Sequence, residues 1–196
     1  RSGEHEAKQQ FAVMEPVLAA LRDGKPARTV TISENDRAIF RHLNLLTAKP
    51  VLYACNVEEE NAAKGNPHSE AVTVMAAAEG SGTVVVSAAI EAELAQLGDA
   101  NERSEYLETL GLTEAGLNRV IRAGYSLLDL ITFFTSGPKE SRAWTVTTGT
   151  LAAPAAGKIH TDFERGFIAA ETIAYDDFVD CNGEQGAKDA GKMRLE

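Results

Sequence analysis

An amide and a carboxylate follow a short apolar run near the middle of the chain. Residues 51–55 (Val-Leu-Tyr-Ala-Cys) are apolar, and Asn56 and Glu59 come shortly after them. A short apolar run that follows a proline is typical of a strand buried on both faces of a parallel sheet. Since such sheets bind ligands at the carboxyl ends of their strands, Asn56 and Glu59 are predicted to reach a base or another small ligand. The competing interpretation is an acidic, solvated turn that closes a core strand.

Other residues that could do chemistry form no recognisable catalytic or metal-binding pattern. Cys55 and Cys181 are far apart, which argues against a disulfide framework. The 4 histidines lack the i, i+4 spacing of a helical zinc site. Without a nucleophile or acid beside it in the sequence, His160 is predicted to have a packing or loop role. Trp144 is predicted to be a core residue, with a base-stacking platform as the alternative.

The composition is that of a soluble globular protein. The 196 residues are 44% apolar and 24% charged. We find no apolar run of membrane-spanning length and no charged-then-apolar leader, and we predict a cytoplasmic protein. The net charge of −10 argues against nonspecific binding to nucleic acids or anionic membranes. The chain opens into a helical pattern without a Met, which indicates that it was cut from something longer.

Alternating helices and strands must position these residues. A helix is predicted over residues 4–23 with a kink or break at Pro16, and a second helix follows and ends before Pro50. Ser69 is predicted to cap a helix that leads to a second core strand, residues 83–86. The order strand, helix, strand, helix predicts an α/β fold with a parallel sheet.

The character of the sequence changes after residue 130. Strands are predicted over residues 131–134 and 142–146, separated by a turn at residues 136–138 that marks a domain boundary. A small-residue loop is predicted at 152–157, and Thr161 is predicted to cap a short helix. Strands, a helix and further strands indicate a small α+β module.

Several blocks of sequence then resemble one family, the YchF subfamily of Obg-related P-loop GTPases, also called Obg-like ATPases. The resemblance covers nearly the whole chain. The blocks that carry it include residues 46–53 (LTAKPVLY), 56–59 (NVEE), 86–94 (VSAAIEAEL), 116–123 (GLNRVIRA) and 134–140 (FTSGPKE). A further block, residues 155–168 (AAGKIHTDFERGFI), is highly specific.

The resemblance implies a P-loop NTPase domain with an inserted helical coiled-coil hairpin, followed by a TGS domain of β-grasp type. Residues 1–45 would be the returning part of the hairpin and 46–135 the C-terminal half of the nucleotide-binding domain. Residues 136–196 would be the TGS domain without its last strand. The implied activity is that of a ribosome-associated, redox- or stress-regulatory ATPase or GTPase that uses Mg²⁺ with ATP or GTP.

The phosphate-binding part of such a site is not recognisable in this sequence. A P-loop needs Gly-x-x-x-x-Gly-Lys-Ser/Thr, whose backbone N–H groups and Lys hold the phosphates. The Gly-Lys pairs at Gly24, Gly157 and Gly191 are followed by Pro, Ile and Met. Because phosphoryl transfer depends on positioning and charge at the phosphates, this chain alone is predicted neither to hydrolyse NTP nor to hold Mg²⁺ and nucleotide tightly.

The base-reading part can be compared with the Asn-Lys-x-Asp motif of GTPases. Here the matching residues are Asn-Val-Glu-Glu at 56–59, so Val replaces Lys and the longer Glu replaces Asp. The longer side chain is expected to shift the carboxylate and spoil its paired hydrogen bonds to guanine, and the loss of such a contact costs about 1–3 kcal/mol. The site is therefore expected to accept adenine as well. The predicted base-binding residues are Asn56, Val57, Glu59, Ser87, Ala88 and Ala89.

Two alternatives stay open from the sequence. The Ser87 hydroxyl is as well suited to cap the next helix as to lie beside a base. The alternative function is an adaptor, in which the TGS module and the hairpin bind RNA or ribosomal components without nucleotide hydrolysis. No membrane or DNA partner is expected.

Overall fold

The computed structural model describes residues 2–137 and 139–196, and Pro138 of the predicted turn lies outside this described part. The chain divides into two compact units, Arg1–Leu128 (the first unit) and Asp129–Glu196 (the second unit). The strands Leu130–Ser136 and Ser141–Thr147, which lie on either side of the predicted turn, pair with each other and both belong to the second unit. The assignment of 1–45, 46–135 and 136–196 to a hairpin, a nucleotide-binding half and a TGS domain stays a prediction.

The first unit begins with the predicted long helix. Helix α1 spans Ser2–Arg22, and Pro16 does not break it. Its Val13 and Val17 are buried. Helix α2, Arg37–His42, is shorter than predicted and is followed by a 3-10 turn at Leu46–Ala48. It ends early because Asn44 adopts a φ of 49°, a left-handed conformation that a right-handed helix cannot continue.

A two-stranded parallel sheet forms the centre of the first unit. Strand β1, Leu52–Asn56, pairs with β2, Gly82–Val86, which places Asn56 opposite Val86. The prediction that β1 is buried on both faces is wrong, since none of its five residues is fully buried. In the described part of the chain this sheet has only two strands, too few to cover β1 on both sides.

Helix α3, Pro67–Ala78, connects the two strands and begins earlier than expected. Its N-cap is Asn66, whose side chain accepts the N–H of Ser69 at 2.9 Å. The Ser69 hydroxyl accepts the Asn66 N–H at 2.8 Å, which completes a reciprocal capping box. The prediction that Ser69 caps this helix is therefore wrong, because Ser69 is its third residue.

Three further helices complete the first unit: α4 at Ala88–Leu94, α5 at Ala100–Thr109 and α6 at Gly116–Leu127. Ile90 and Leu94 of α4 pack with Ala62 in a buried cluster. Leu107 of α5 covers this cluster, and α6 packs on both strands. This buried cluster thus lies beside the carboxyl end of the sheet, where Asn56 emerges.

The second unit begins with the two predicted strands. Strands β3, Leu130–Ser136, and β4, Ser141–Thr147, are antiparallel, with Phe133 opposite Trp144. The remaining elements are α7 at Ala152–Ile159, α8 at Thr161–Arg165, β5 at Glu171–Thr172, α9 at Tyr175–Asp180, α10 at Glu184–Asp189 and β6 at Arg194–Leu195. Strands β5 and β6 form a short antiparallel pair.

Two local predictions in the second unit are wrong. The small-residue loop is the helix α7, since its four alanines are strong helix formers and Pro154 lies in the first turn, where it is tolerated. The cap of α8 is His160, whose Nδ1 accepts the N–H of Asp162 at 3.2 Å. Thr161, the predicted cap, is the first residue of that helix.

The molecule is a mixed α/β protein with a small parallel sheet and separate antiparallel pairs. This confirms the α/β character of the prediction, whereas its P-loop NTPase and β-grasp TGS assignments stay predictions. No helix in the described residues combines the length and the apolar character that a membrane crossing requires.

Candidate functional site

The carboxyl ends of β1 and β2 bring the predicted site residues together. Asn56 ends β1, and Ser87 directly follows β2. The backbone N–H of Val57 donates to the carbonyl of Val86 at 2.9 Å, which extends the pairing one step beyond β1. The parallel register therefore places the loops that follow the two strands side by side.

Asn56 ties these two loops together. Its exposed side-chain oxygen Oδ1 accepts the backbone N–H of Ala88 at 2.8 Å, across 32 residues of sequence. Ala88 is the first residue of α4, whose first N–H groups have no partner within the helix. The Asn56 side chain therefore satisfies one of these donors and sets the position of the second loop relative to the first.

Val57 and Glu59 occupy different environments. Val57 is buried, with 8% of its surface exposed, so its side chain is largely part of the core. Glu59 begins a 3-10 turn, Glu59–Asn61, and its carboxylate is exposed. The Glu59 carbonyl accepts the N–H of Ala62 at 3.1 Å, whereas its carboxylate makes no hydrogen bond or ion pair with another described residue. Its carboxylate is thus open to an external hydrogen-bond donor, while the contact of either residue with a base stays a prediction.

The residues after β2 also differ in burial. Ser87 is buried, and within the described part of the chain its hydroxyl has no hydrogen-bond partner. Ser87 is the N-cap residue of α4, but its side chain makes no capping hydrogen bond, so the prediction that its hydroxyl caps this helix is wrong. Ala88 and Ala89 are exposed. Asn56 takes the Ala88 N–H, whereas the N–H of Ala89, the second residue of α4, has no acceptor within the helix.

A tyrosine–glutamate pair that the sequence reasoning missed lies near Glu59. The Tyr106 hydroxyl donates a hydrogen bond to Glu93 Oε2. This bond raises the pKa of Tyr106 from 10.0 to about 12, helped by burial and by the negative charges of Glu93 and Glu59. No sequence spacing indicates the pair, because its members lie on different helices and meet only through tertiary packing.

Glu91 is a second residue that the sequence reasoning missed. Its carboxylate accepts the backbone N–H groups of Gly116 at 2.6 Å and Leu117 at 3.2 Å, the first two of α6. A carboxylate is favoured at a helix N-terminus because it satisfies free N–H donors and complements the helix dipole. Glu91 thereby holds α6 to the helix that begins with Ala88.

The contacts of His160 and Trp144 are those of structural residues. His160 caps α8, and its ring centroid lies 5.9 Å from that of Phe163, with the two ring planes tilted by 58°. Trp144 is half-buried, its Nε1 donates to the Thr135 hydroxyl at 3.0 Å, and the Arg142 guanidinium lies 4.2 Å from its ring centroid. A packing role fits these contacts better than base stacking. Both cysteines are free thiols.

The arrangement suits binding better than catalysis. It offers an exposed carboxylate at Glu59 and, at Ala89, an N–H without an acceptor in its helix, and these are an acceptor and a donor of the kind that the edge of a nucleobase can pair with. Among the described residues no three His, Cys, Asp or Glu side chains are grouped in a way that could hold a metal ion.

Comparisons with known proteins identify similar chains in bacteria and animals. The family model YchF-GTPase_C, described as "Protein of unknown function (DUF933)", matches residues 130–196. The "Ribosome-binding ATPase YchF" of Escherichia coli O157:H7 is 51% identical over 196 residues, 100% of this chain and 53% of that protein. The "Obg-like ATPase 1" of Rattus norvegicus is 40% identical over 200 residues, 99% of this chain and 50% of that protein.

A solved structure shows the same fold. The Schizosaccharomyces pombe YchF GTPase matches with a TM-score of 0.81 and 33% identity, over 96% of this chain and 50% of that one. The chain thus spans about half the length of the relatives that it matches.

Proposed function

Because this chain belongs to the YchF subfamily of Obg-related P-loop GTPases, we propose that its first unit carries the base-binding half of a purine nucleotide site. The whole protein would be a ribosome-associated ATPase or GTPase. Two kinds of relative support this proposal, one named a ribosome-binding ATPase and the other an Obg-like ATPase. The redox- or stress-regulatory role rests on the family resemblance alone.

The hydrogen bond from Ala88 N–H to Asn56 Oδ1, 2.8 Å long, is the observation that carries the proposal. It fixes the loop after β1 against the loop after β2, so Glu59 and Ala89 are presented from two segments at the same end of the sheet. Sites of this kind need their groups held in place before the ligand arrives, since preorganisation lowers the cost of binding.

Tolerance of adenine is the finer part of the proposal. The carboxylate of Glu59 stands one methylene farther from the backbone than the Asp that reads guanine in related GTPases. Val57, where those GTPases have Lys, is buried and supplies no charged stem beside a base. A site with a displaced acceptor and an apolar neighbour has less to lose when guanine is replaced by adenine.

Hydrolysis would require residues that this chain does not supply. Its Gly-Lys pairs lack the following Ser or Thr that holds magnesium in a P-loop. We therefore place phosphate and Mg²⁺ binding in the part of the relatives' length that the chain does not span. A ribosome-associated protein of this kind would work in the cytoplasm.

A docking function for the second unit is the other candidate. Phe134 and Tyr175 are 57% and 65% exposed, and their rings lie 5.6 Å apart, which forms an aromatic pair open to solvent. Aromatic side chains contribute much of the energy of protein interfaces, and tyrosine is enriched there. As a TGS module this unit would bind RNA or ribosomal components, and failure of the chain to co-sediment with ribosomes would contradict that role.

Calorimetric titration with ATP and GTP tests the nucleotide proposal. The protein used should contain this chain together with the half of the family's length that it does not span. We expect both nucleotides to bind and Asn56→Ala to weaken both by about tenfold, since the Ala88 loop loses its anchor. Asn101→Ala, an exposed change on α5, is the matched control. The proposal would be overturned if no purine nucleotide bound, or if Asn56→Ala bound the nucleotides with the same affinity as the wild type.

A further inference from the structure

A cavity of about 400 Å³ lies along one edge of β2, apart from the carboxyl-end site. It is lined by three consecutive residues of this strand, Thr83, Val84 and Val85. Consecutive side chains of a strand point to opposite faces, so contact with all three places the cavity along the edge of the strand. No residue of β1 is among the described lining residues, and the edge is therefore the one that faces away from β1.

This outer edge of β2 has free backbone groups. In the described part of the chain β2 pairs with β1 alone. A strand paired on one side presents a row of N–H and C=O groups on the other. Such an edge can accept an extended segment as an additional strand, through the same main-chain hydrogen bonds that hold a sheet together.

The cavity is basic although the chain as a whole carries a net charge of −10. Lys64 lines it from the loop before α3, and Arg119 and Arg122 line it from one face of α6. None of the described lining residues is acidic, and outside the cavity lining Glu114 forms an ion pair with Arg122.

Arg119 has a further property that points to a ligand. Its Nε is buried and has no hydrogen-bond partner within the described residues. A buried donor without a partner is costly, and a guanidinium is suited to bind a carboxylate through two parallel hydrogen bonds. An incoming acidic group would satisfy this donor if the Arg119 side chain rotated to expose its Nε to the cavity.

We propose that the outer edge of β2, with Lys64, Arg119 and Arg122, is a docking groove for an acidic, extended peptide segment of a partner protein. The main chain of the segment would pair with Thr83–Val85, and its acidic side chains would meet the three cations. A nucleic acid backbone would use the cations but not the strand edge, because it lacks groups at the spacing of a β-strand. The combination of edge and charge therefore favours a peptide.

Fluorescence anisotropy with synthetic peptides tests this groove on the full 196-residue chain. The probe is a labelled peptide of about eight residues with alternating Glu and Thr. Two control peptides carry Gln in place of Glu, or N-methyl groups on alternate backbone amides that block strand pairing. We expect saturable binding of the first peptide and at least about tenfold weaker binding of both controls.

Charge reversal at Lys64 locates the binding. Lys64 is exposed, so Lys64→Glu should preserve the fold, and it is expected to weaken the Glu–Thr peptide about tenfold or more. Lys25→Glu makes the same charge change at an exposed position that does not line the cavity and should have a much smaller effect. On peptide addition, the Nε–H signal of Arg119 and the amide signals of Thr83–Val85 should shift in NMR spectra.

Four results would overturn the proposal. The Glu–Thr peptide could fail to bind, or the N-methylated peptide could bind equally well, which would leave only a charge effect. The Lys25→Glu and Lys64→Glu variants could weaken binding equally. Finally, a short oligouridine could bind at lower concentration than the peptide and displace it, which would assign the cavity to RNA.

Discussion

The Asn56 side chain joins the two loops that follow β1 and β2. Its single hydrogen bond to Ala88 N–H does this at a point where backbone pairing has just ended, after the bond from Val57 N–H to the Val86 carbonyl. An aspartate could accept the same N–H but would add a negative charge beside Glu59. An amide therefore suits position 56, because its oxygen accepts one backbone hydrogen bond without adding a negative charge to the site.

Titration of Tyr106 measures the electrostatics around Glu59. The hydrogen bond to Glu93, with burial and the charges of Glu93 and Glu59, raises its pKa from 10.0 to about 12. We expect NMR of ring-labelled tyrosine to give a midpoint near 12 for Tyr106. Glu93→Gln should lower this midpoint, since the charged acceptor is removed. An unchanged midpoint in Glu93→Gln would contradict the assigned cause.

The same pKa predicts how stability depends on pH. The pKa of Tyr106 in the folded state lies above its ordinary value of 10.0, so the protonated hydroxyl stabilises the folded state. This contribution is complete below pH 10.0 and is lost as the pH rises toward about 12. In urea unfolding, the stability difference between the wild type and Glu93→Gln should therefore shrink across that interval. A stability difference that grows between pH 10.0 and about 12 would contradict the assignment of this effect to Tyr106.

At the residue scale, residue types and spacing single out Asn56 and Glu59 as candidates, but they do not give the hydrogen bonds around them. The positions of Asn56 and Glu59 after a buried-type strand could be recognised from residue types and spacing. That Asn56 accepts the Ala88 N–H, and that the buried Ser87 side chain makes no capping hydrogen bond to α4, depends on the strand register. The Glu93–Tyr106 pair depends on how two helices pack, for which a single sequence carries no signal.

At the scale of elements, Glu91 connects the site to α6. The carboxylate lies in the helix that begins at Ala88 and caps α6 through Gly116 and Leu117. A Cβ on Gly116 would lie 2.9 Å from Glu91 Oε1 and 3.2 Å from Val86 Cγ1. The absence of a side chain at Gly116 is thus what allows this close approach.

Removal of the cap should destabilise the first unit. Glu91→Ala leaves two N–H donors of α6 without a partner and is expected to lower the free energy of unfolding by about 1–2 kcal/mol. Urea unfolding followed by circular dichroism measures this difference. Glu105→Ala, at an exposed position of α5, is the control and should change the stability by less than about 0.5 kcal/mol. Equal effects of the two substitutions would show that Glu91 is not a cap.

The elements that could be predicted were those with strong, uninterrupted patterns. Helix α1 and strands β1 to β4 follow from apolar spacing and β-branched residues. Helix α7 was missed because Ala, Gly and Pro together are typical of a loop, although alanine is the strongest helix former. Helix α2 ends before Asn44 because the backbone of Asn44 is left-handed, and the apolar spacing of the neighbouring residues did not indicate this conformation.

At the scale of the whole molecule, the alternation of strands and helices predicted an α/β protein, and the structure confirms that class. The division into two units also has a physical basis, since β3 must lie with its antiparallel partner β4. The burial of β1 was overestimated because sequence reasoning assumed a full parallel sheet. The described sheet holds two strands and leaves β1 partly exposed.

The most direct test of the account is the nucleotide preference of Glu59→Asp in a protein that contains this chain and the rest of the family's length. This change restores the shorter carboxylate that reads guanine, whereas Val57→Lys would place a charge at a buried position. Calorimetric titration should show the affinity for GTP relative to ATP rising about tenfold, within the 1–3 kcal/mol that a matched contact contributes. Glu58→Asp, at the exposed neighbouring position, is the control and should leave the ratio unchanged. An unchanged ratio in Glu59→Asp would contradict the assignment of Glu59 to the base.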